Sequence, residues 1–390
     1  MIKKIAIVEL DYHVECLNSL CKIFLDSPIE VVFYTKKEIY KELLQDEKFK
    51  KYTWRFPKKG QSLKEFITES IPEINLCDVV FFDTLASNFK QFSKIKFRPL
   101  SFLRIHNANA YLSPWRNLKF GFTPYFIFKD LSHIIRETIL KLDWYYRKKC
   151  VNNFDYLCFP DQAIIDHLNQ HNMLASFRTS SPIPLTINDE KFINDEKSDV
   201  YYFTVPGTID ERRKDYLILF NAFRKMLQSL DRKVVLTFAG VPKGAYGRNV
   251  ISKFRELKSD NFEFHFFTKR IPQSVFNSIM QKTDCIIAPI VSKTKYTIYL
   301  EEYGKTKISG SVSDIIQYGK LGVLPSSYPI NKNLETAILQ YDSEEQLSVL
   351  MSEIVSKRRR AKKEVFKEYS SDSVYKIILD AFSVELKKSL

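Results

Sequence analysis

Short runs that are almost continuously apolar, rich in β-branched and aromatic residues, recur along the chain and alternate with stretches of helical spacing. In the first half they are KIAIVEL (4–10), IEVVFYT (29–35), DVVFFDT (78–84), LSFLRIH (100–106) and DYLCFP (155–160). A strand with one wet face alternates apolar and polar residues. A strand that is apolar throughout must be covered on both faces, as parallel strands joined by crossover helices are. Between the first two runs, VECLNSLCKIFL carries its apolar residues at helical spacing. This rhythm predicts an α/β chain built on doubly wound parallel sheets.

The rhythm stops and restarts. PIPLTINDEKFINDEKSD, ending at Asp199, is punctuated by proline and then becomes polar and acidic, which reads as a linker. After it come VYYFTVPG (200–207), a helix over about 214–229, KVVLTFAG (233–240), FEFHFF (262–267), a helix near 272–282, DCIIAPI (284–290), a helix near 309–319 and a strand near 321–325. At 390 residues the chain exceeds one ordinary core, so two domains are expected. The predicted organisation is a Rossmann-like domain over 1–186, a linker over 187–199, a second Rossmann-like domain over 200–370 and a C-terminal helix, 371–390, packing back on the first. In open α/β sheets ligands bind outside the carboxyl ends of the strands, so two such domains predict an interdomain cleft that brings two substrates together.

Sixty basic against 46 acidic residues leave a net charge of +14, which calls for anionic partners. The basic residues are dispersed and no nucleic-acid motif is present, so nucleic acid is not the expected partner. The densest run, Lys357–Lys363 (KRRRAKK), reads as a solvated helix face. No apolar run approaches the ~20 residues that span a bilayer. The opening MIKKIAIVELDYH is cut at Glu9 and Asp11, too soon for a signal peptide. Six cysteines without a CxxC pair read as reduced, buried thiols, and a cytoplasmic location is expected.

Eight of the ten glycines lie between 207 and 322, and Gly207 and Gly240 close predicted strands. Glycine at a strand end lets backbone approach a phosphate closely. PGTIDERRK then sets Arg212, Arg213 and Lys214 just beyond Gly207, and guanidinium and ammonium both grip phosphate oxygens. A second cluster, EEYGKTKISGSVSDIIQYGK, brings Lys305 and Lys307 up to Ser309, Gly310 and Ser311, at the start of a predicted helix whose free N–H groups favour an anion. Asp314, one turn on, is placed to accept hydrogen bonds from ribose hydroxyls.

These motifs, in this order, resemble the nucleotide-sugar domain of GT-B glycosyltransferases, most closely the retaining glycosyl transferases group 1. The resemblance covers roughly 200–325. Gly207 is followed seven residues on by Lys214 and then by LFNAF (219–223). LTFAG (236–240), PQSVFNSIMQKTDCIIAPI (272–290) and EEYG…SDIIQYGK match further motifs of that family. The chain departs from the pattern in three places. Thr208 stands where the family has arginine, Glu302 and Asp314 are twelve rather than eight residues apart, and Leu321 replaces a proline.

The resemblance implies a GT-B fold, a nucleotide-sugar donor (UDP-linked, with GDP as the alternative) and a glycan or polyprenyl-diphosphate-linked acceptor in cell-surface polysaccharide or glycoconjugate synthesis. It assigns Gly207, Thr208, Arg213, Lys214, Gly240, Lys307, Ser309, Gly310, Ser311 and Asp314 to the donor, and Glu302 to the sugar. No cofactor is expected. No D-x-D triplet exists to hold a metal, so arginine, lysine and helix ends must neutralise the diphosphate.

In the first half, ELDYHVE places Asp11 and His13 just after the first strand, where inverting GT-B members keep a base, and imidazole titrates in the useful range. RIHNANAY places His106 where retaining members hold a histidine near the donor sugar, with Asn107 and Asn109 beside it. Retention is the expected outcome; inversion with Asp11 or His13 as base is the alternative. A non-catalytic nucleotide, glycan or nucleic-acid binder is the competing class. HLNQH (167–171) lacks the glutamate of a zinc-protease helix and reads as structural. Residues 118–149, aromatic and basic, read either as core packing or as a surface for anionic lipid, the latter implying a peripheral place on the inner face of the plasma membrane.

Overall fold

The computed structural model describes residues 2–118, 142–189, 199–211, 213–230, 232–296 and 298–389, with side chains as far as 383. The chain divides into two compact units. Unit 1 comprises Met1–Ile187, Lys295–Glu301 and Ser371–Leu390; unit 2 comprises Asn188–Thr294 and Glu302–Ser370. Most of the linker expected over 187–199, and most of the aromatic, basic stretch expected over 118–149, lie outside the described residues.

Unit 1 is built on β1 (Lys4–Glu9), β2 (Glu30–Thr35), β3 (Thr53–Arg55), β4 (Val79–Thr84), β5 (Leu100–Arg104) and β6 (Tyr156–Cys158). All pairings are parallel, in the order β3-β2-β1-β4-β5-β6, with Ala6 opposite both Val32 and Val80. Alternate residues of each strand enter different cores. Ala6, Val8, Val32, Val80 and Leu103 face one, while Ile5, Ile7, Phe33, Phe81 and Phe102 face the other. That double coverage is why the strands read as unbroken apolar runs.

The second face is closed by the last helix, Ser371–Ser389, whose Phe382 ring lies 4.5 Å from that of Phe102 and whose Tyr375 bonds Ser27 at 2.9 Å. The first face receives the returning segment 295–301, a feature the sequence pattern does not announce. Ile298 and Tyr299 enter its core, and the buried Glu301 carboxylate accepts from the backbone N–H groups of Asn109 (3.3 Å) and Ala110 (2.9 Å).

Unit 2 repeats the plan with β7 (Tyr201–Pro206), β8 (Val234–Ala239), β9 (Phe262–Phe266), β10 (Cys285–Ile287), and, after the two-stranded pair β11 (Lys293–Tyr296) and β12 (Tyr299–Glu302), β13 (Leu321–Pro325) and β14 (Ile338–Tyr341). The main sheet runs β14-β13-β10-β7-β8-β9, again all parallel. Tyr216, Leu219 and Phe223 of the helix Tyr216–Met226 cover Phe203, Val205 and Phe238. The doubly wound α/β expectation is borne out in both halves. Among the described residues no helix is long and apolar enough to cross a membrane.

Candidate functional site

Both sheets share one topology. Counted in chain order within each unit, the strands lie 3-2-1-4-5-6, so the winding reverses between the first and fourth. At such a reversal the loops leaving the two central strands part and open a crevice at their carboxyl ends. In unit 2 the crevice lies beyond Pro206 of β7 and Ile287 of β10. In unit 1 it lies beyond Glu9 of β1 and Thr84 of β4.

In unit 2, Gly207 leaves β7 at φ +84°, a left-handed conformation that glycine adopts without strain. The chain returns through 213–215, which pair with the end of β10: Val291 N–H donates to Arg213 O (3.1 Å) and Asp215 N–H to Pro289 O (2.7 Å). This pairing fixes Lys214 at the reversal. Its ammonium is buried and donates to Pro206 O at 2.8 Å, beside Gly207. Burial, aided by Arg213 and opposed by Asp314 and Asp210, lowers the Lys214 pKa to about 8. Immediately afterwards the helix Tyr216–Met226 begins, capped by Asp215, which accepts from Leu217 and Ile218 N–H. Arg213 is exposed and Thr208 half-buried. Gly240 has a packing reason for being glycine, because a Cβ there would lie 2.0 Å from Gly207 O.

The second cluster is a tight loop leading into the helix Gly310–Tyr318. Glu302 O accepts from the N–H groups of Lys305 (3.2 Å), Thr306 (2.9 Å) and Lys307 (3.2 Å). The Glu302 carboxylate faces Lys305 of its own loop at 3.2 Å and Lys293 of β11 at 3.8 Å, so the acid that the resemblance assigns to the sugar is held by two lysines. Ser309 and Ser311 are both buried, with Ser309 Oγ capping the helix by accepting Ser311 N–H at 3.3 Å. Gly310 has open space where a side chain would stand. Because this helix leads directly into β13, its N-terminus belongs to the carboxyl edge of the sheet, and its Asp314 acts electrostatically on Lys214. Lys214, Asp314 and two helix N-termini therefore share one edge, an arrangement that can neutralise a diphosphate and bind a diol.

In unit 1, Asp11 is buried and both its oxygens are engaged, Oδ2 by Ala86 N–H (2.6 Å) and Oδ1 by the Ser87 hydroxyl (2.9 Å). These bonds tie it to the loop after β4. His13 precedes the helix Val14–Ile23 and stacks on His106 with ring centroids 4.7 Å apart and planes 8° from parallel. Its Nδ1 lies 3.4 Å from Glu15 Oε1. His106 Nε2 sits 2.8 Å from Asp83 O, which can only accept, so that nitrogen carries a hydrogen. Asn109 turns instead to the returning segment, its amide donating to Leu300 O at 3.0 Å.

Beneath the imidazoles lie three ionisable groups that motif reasoning missed. Asp83 and Arg104 form a buried pair at 2.5 Å, and Glu9, also fully buried, accepts Asp11 N–H at 2.8 Å. The β1–β4 pairing jumps from Val8–Phe82 to Glu9–Thr84, a bulge that skips Asp83. Among the described residues, Glu9 Oε2 and Asp83 Oδ2 have no hydrogen-bond partner. Burial and the neighbouring Asp83 push the Glu9 pKa up to about 8, so Glu9 keeps its proton at neutral pH. Burial pushes the His13 imidazole down, but Glu15, Glu9 and Asp83 outweigh it and hold the pKa above the usual range. The signal was present in the sequence, as charged residues inside the otherwise apolar runs IAIVE, VVFFD and LSFLR.

The donor atoms of His13, Glu15 and Cys16 come within 4.8 Å of one another, but burial raises the Cys16 thiol well above its usual range, and Glu15 is paired with His13. The trio therefore reads as an acid–imidazole pair beside a buried thiol. The rings of His167 and His171 lie 4.3 Å apart, tilted by 40°, with His171 Nδ1 2.8 Å from His167 O.

No protein-family model and no curated protein matches the chain. Solved structures do. HepE of Anabaena, in complex with UDP and glucose, superposes with a TM-score of 0.54 at 13% identity over 99% of this chain and 98% of that one. AviGT4, a glycosyltransferase of avilamycin A biosynthesis, gives 0.55 at 9% identity over 99% and 98%. A Listeria monocytogenes protein provisionally assigned as a UDP-N-acetylglucosamine 2-epimerase gives 0.53 at 12% over 100% and 98%. At these identities the likeness speaks for architecture, and together with the paired 3-2-1-4-5-6 sheets it shows that this chain has the GT-B fold.

Proposed function

We propose that the chain is a glycosyltransferase that moves a sugar from a nucleotide-sugar donor to a hydroxyl of a glycan or lipid-linked saccharide. The donor is UDP-linked, with GDP as the alternative. The observation that carries this reading is the buried Lys214 ammonium at the reversal point of unit 2, on the sheet edge shared with Asp314 and two helix N-termini. A buried cation without a carboxylate hydrogen-bonded to it is costly unless an anion arrives to face it. In that role Lys214 and the exposed Arg213 meet the diphosphate, the Gly310 N–H at the helix tip donates to its oxygens, and Asp314 takes the ribose hydroxyls. These groups supply the positive charge by themselves, which supports metal-independent transfer.

In a retaining transfer the leaving diphosphate takes the acceptor proton on the face it departs from, and Lys214 stabilises the charge that develops there. His106, donating from Nε2 to Asp83 O and stacked on His13, stands where the resemblance places a histidine near the donor sugar. One observation favours inversion instead: His13 is held against Glu15 as a general base would be. Product stereochemistry decides between the two.

The test is a melting panel with UDP, GDP, ADP and duplex DNA, followed by slow hydrolysis of the stabilising nucleotide's sugar conjugates and NMR of the product anomer. Stabilisation by one nucleoside diphosphate with donor turnover is expected. No stabilisation by any diphosphate would overturn the reading, and stabilisation without turnover would reduce the chain to a binder.

A further inference from the structure

Unit 1 holds a cavity of about 950 Å3 that the transfer chemistry leaves unused. Its walls come from the segment after β5 (Tyr111–Arg116), one face of the helix Asp143–Val151, the approach to β6, and the turn at 171–178. None of these residues belongs to the Glu9–His13–Asp83–His106 cluster.

Two features define what it can take. The first is aromatic and apolar. Trp115 and Trp144 meet edge to face at 5.1 Å, and Phe154, Leu157, Met173 and Phe177 continue the lining. Trp115 is 55% exposed, unusual for an indole with no function at the surface. The second is cationic. Arg116, Lys148 and Arg178 all line the cavity, all are exposed, and none is ion-paired to a described residue. Asp155, the lining carboxylate, already accepts from Ser101 N–H (2.8 Å) and Ser101 Oγ (2.6 Å). The contrast with Arg147 on the same helix is direct. That arginine is buried, bonded to Asp143 and Ala110 O, and its guanidinium lies over the Tyr111 ring. The helix therefore commits one cation to structure and leaves Lys148 at the cavity.

We propose that this cavity binds an amphiphile with a phosphate-bearing head, the head against Arg116, Lys148 and Arg178 and the apolar body against the tryptophan pair. A neutral glycan would leave three cations unanswered, and a free sugar phosphate would leave the apolar lining wet. The volume lies at the upper end of the ~300–1,000 Å3 usual for small-molecule sites, enough for a head and the first part of a chain. The inference rests on unit 1 alone and stands whether or not unit 2 binds a nucleotide.

The test reads tryptophan emission of the full chain titrated with farnesyl diphosphate below its micelle concentration, inorganic diphosphate, and vesicles of phosphatidylglycerol or of phosphatidylcholine. The chain has three tryptophans, and the third, Trp54, half-buried and stacked on Phe33, does not line the cavity, so a ligand-dependent signal comes from the cavity pair. A saturable shift with farnesyl diphosphate identifies a soluble amphiphile. A shift with phosphatidylglycerol vesicles alone identifies a membrane headgroup. Inorganic diphosphate is expected to bind at least ~10-fold more weakly, because it leaves the apolar lining unfilled. Arg116→Gln with Lys148→Gln should weaken binding ~100-fold, about tenfold for each charge-assisted contact. Arg116→Lys with native Lys148 should retain most of it, and Trp115→Phe should remove most of the emission change while leaving competition intact. Equal binding of phosphatidylcholine vesicles, unchanged affinity in the Gln pair, or no response to any phosphate-bearing amphiphile would overturn the proposal.

Discussion

Replacing Lys214 with methionine should raise the stability of the free protein while removing its response to UDP. The side chains are close in volume, so packing changes little. Burial brings the ammonium from its ordinary 10.5 to about 8, and that gap measures what the charged form costs the empty fold. At 1.36 kcal/mol per unit the cost is about 3 kcal/mol. Removing the ammonium also orphans the Pro206 carbonyl, a loss of about 1–2 kcal/mol. The net gain is about 1–2 kcal/mol, a rise of roughly 2–8 °C in melting temperature for a unit of this size. Against UDP the sign reverses, because a charge-assisted phosphate contact contributes about 1.5–3 kcal/mol, or roughly 10- to 150-fold in affinity. A pH signature accompanies this. Above pH 8 the native ammonium is increasingly neutral and must take up a proton to meet the diphosphate, so UDP affinity should fall by up to about tenfold per pH unit. A thioether has no proton to take up, so the residual affinity of Lys214→Met should lack that slope. Scanning fluorimetry with and without UDP, and calorimetry in two buffers of different ionisation enthalpy, read all three effects. A variant that melts lower when empty yet keeps its UDP shift would show that Lys214 is a structural cation and nothing more.

Three further outcomes follow from the same geometry. Glu9 holds its proton up to about pH 8 in the fold but only to its ordinary 4.5 when unfolded, so native protein binds the extra proton and stability should fall as pH rises between those values; Glu9→Gln should remove a slope of up to about 1.4 kcal/mol per pH unit, read by urea unfolding at pH 5, 6.5 and 8. Gly240→Ala sets a methyl 2.0 Å from Gly207 O and should destabilise unit 2 by about 1–3 kcal/mol while weakening UDP, whereas Gly310→Ala, which meets open space, should leave stability within about 1 kcal/mol. His13→Ala should lower kcat at least ~100-fold if the product is inverted and far less if it is retained, with UDP-dependent melting unchanged in either case.

What was legible in the sequence follows from coverage. Strands buried on both faces, such as β1, β4, β7 and β8, carry their signal in every residue. β3 is three residues long and only half-buried, and β14 buries only its two end residues, so neither stands out from the loops around it. The segment 295–301 was invisible for another reason. Its anchor, Glu301 on the N–H groups of Asn109 and Ala110, joins residues nearly two hundred apart, and no local pattern records such a bond. Lys214 was readable because a glycine-to-lysine spacing is local. Glu9, Asp83 and Arg104 sit on three different strands, and only their register makes them neighbours.

The two units also show how one topology supports opposite chemistries. Each sheet reverses between its first and fourth strand, and each places buried charge at that reversal. Unit 2 places an ammonium there, its pKa lowered because the empty site disfavours the charged form. Unit 1 places the buried Glu9 carboxyl near an Asp83–Arg104 pair, and Glu9 retains a proton for the same reason. Burial drives both groups towards neutrality, but the consequences differ. A lysine that loses its proton near pH 8 is held at full charge by an arriving anion, which is the basis of the receptor role proposed for Lys214. A protonated carboxyl beneath a stacked imidazole pair is a proton donor or acceptor held close to the working pH. The fold specifies only where the crevice opens; the strand-end residues set which charge is buried there.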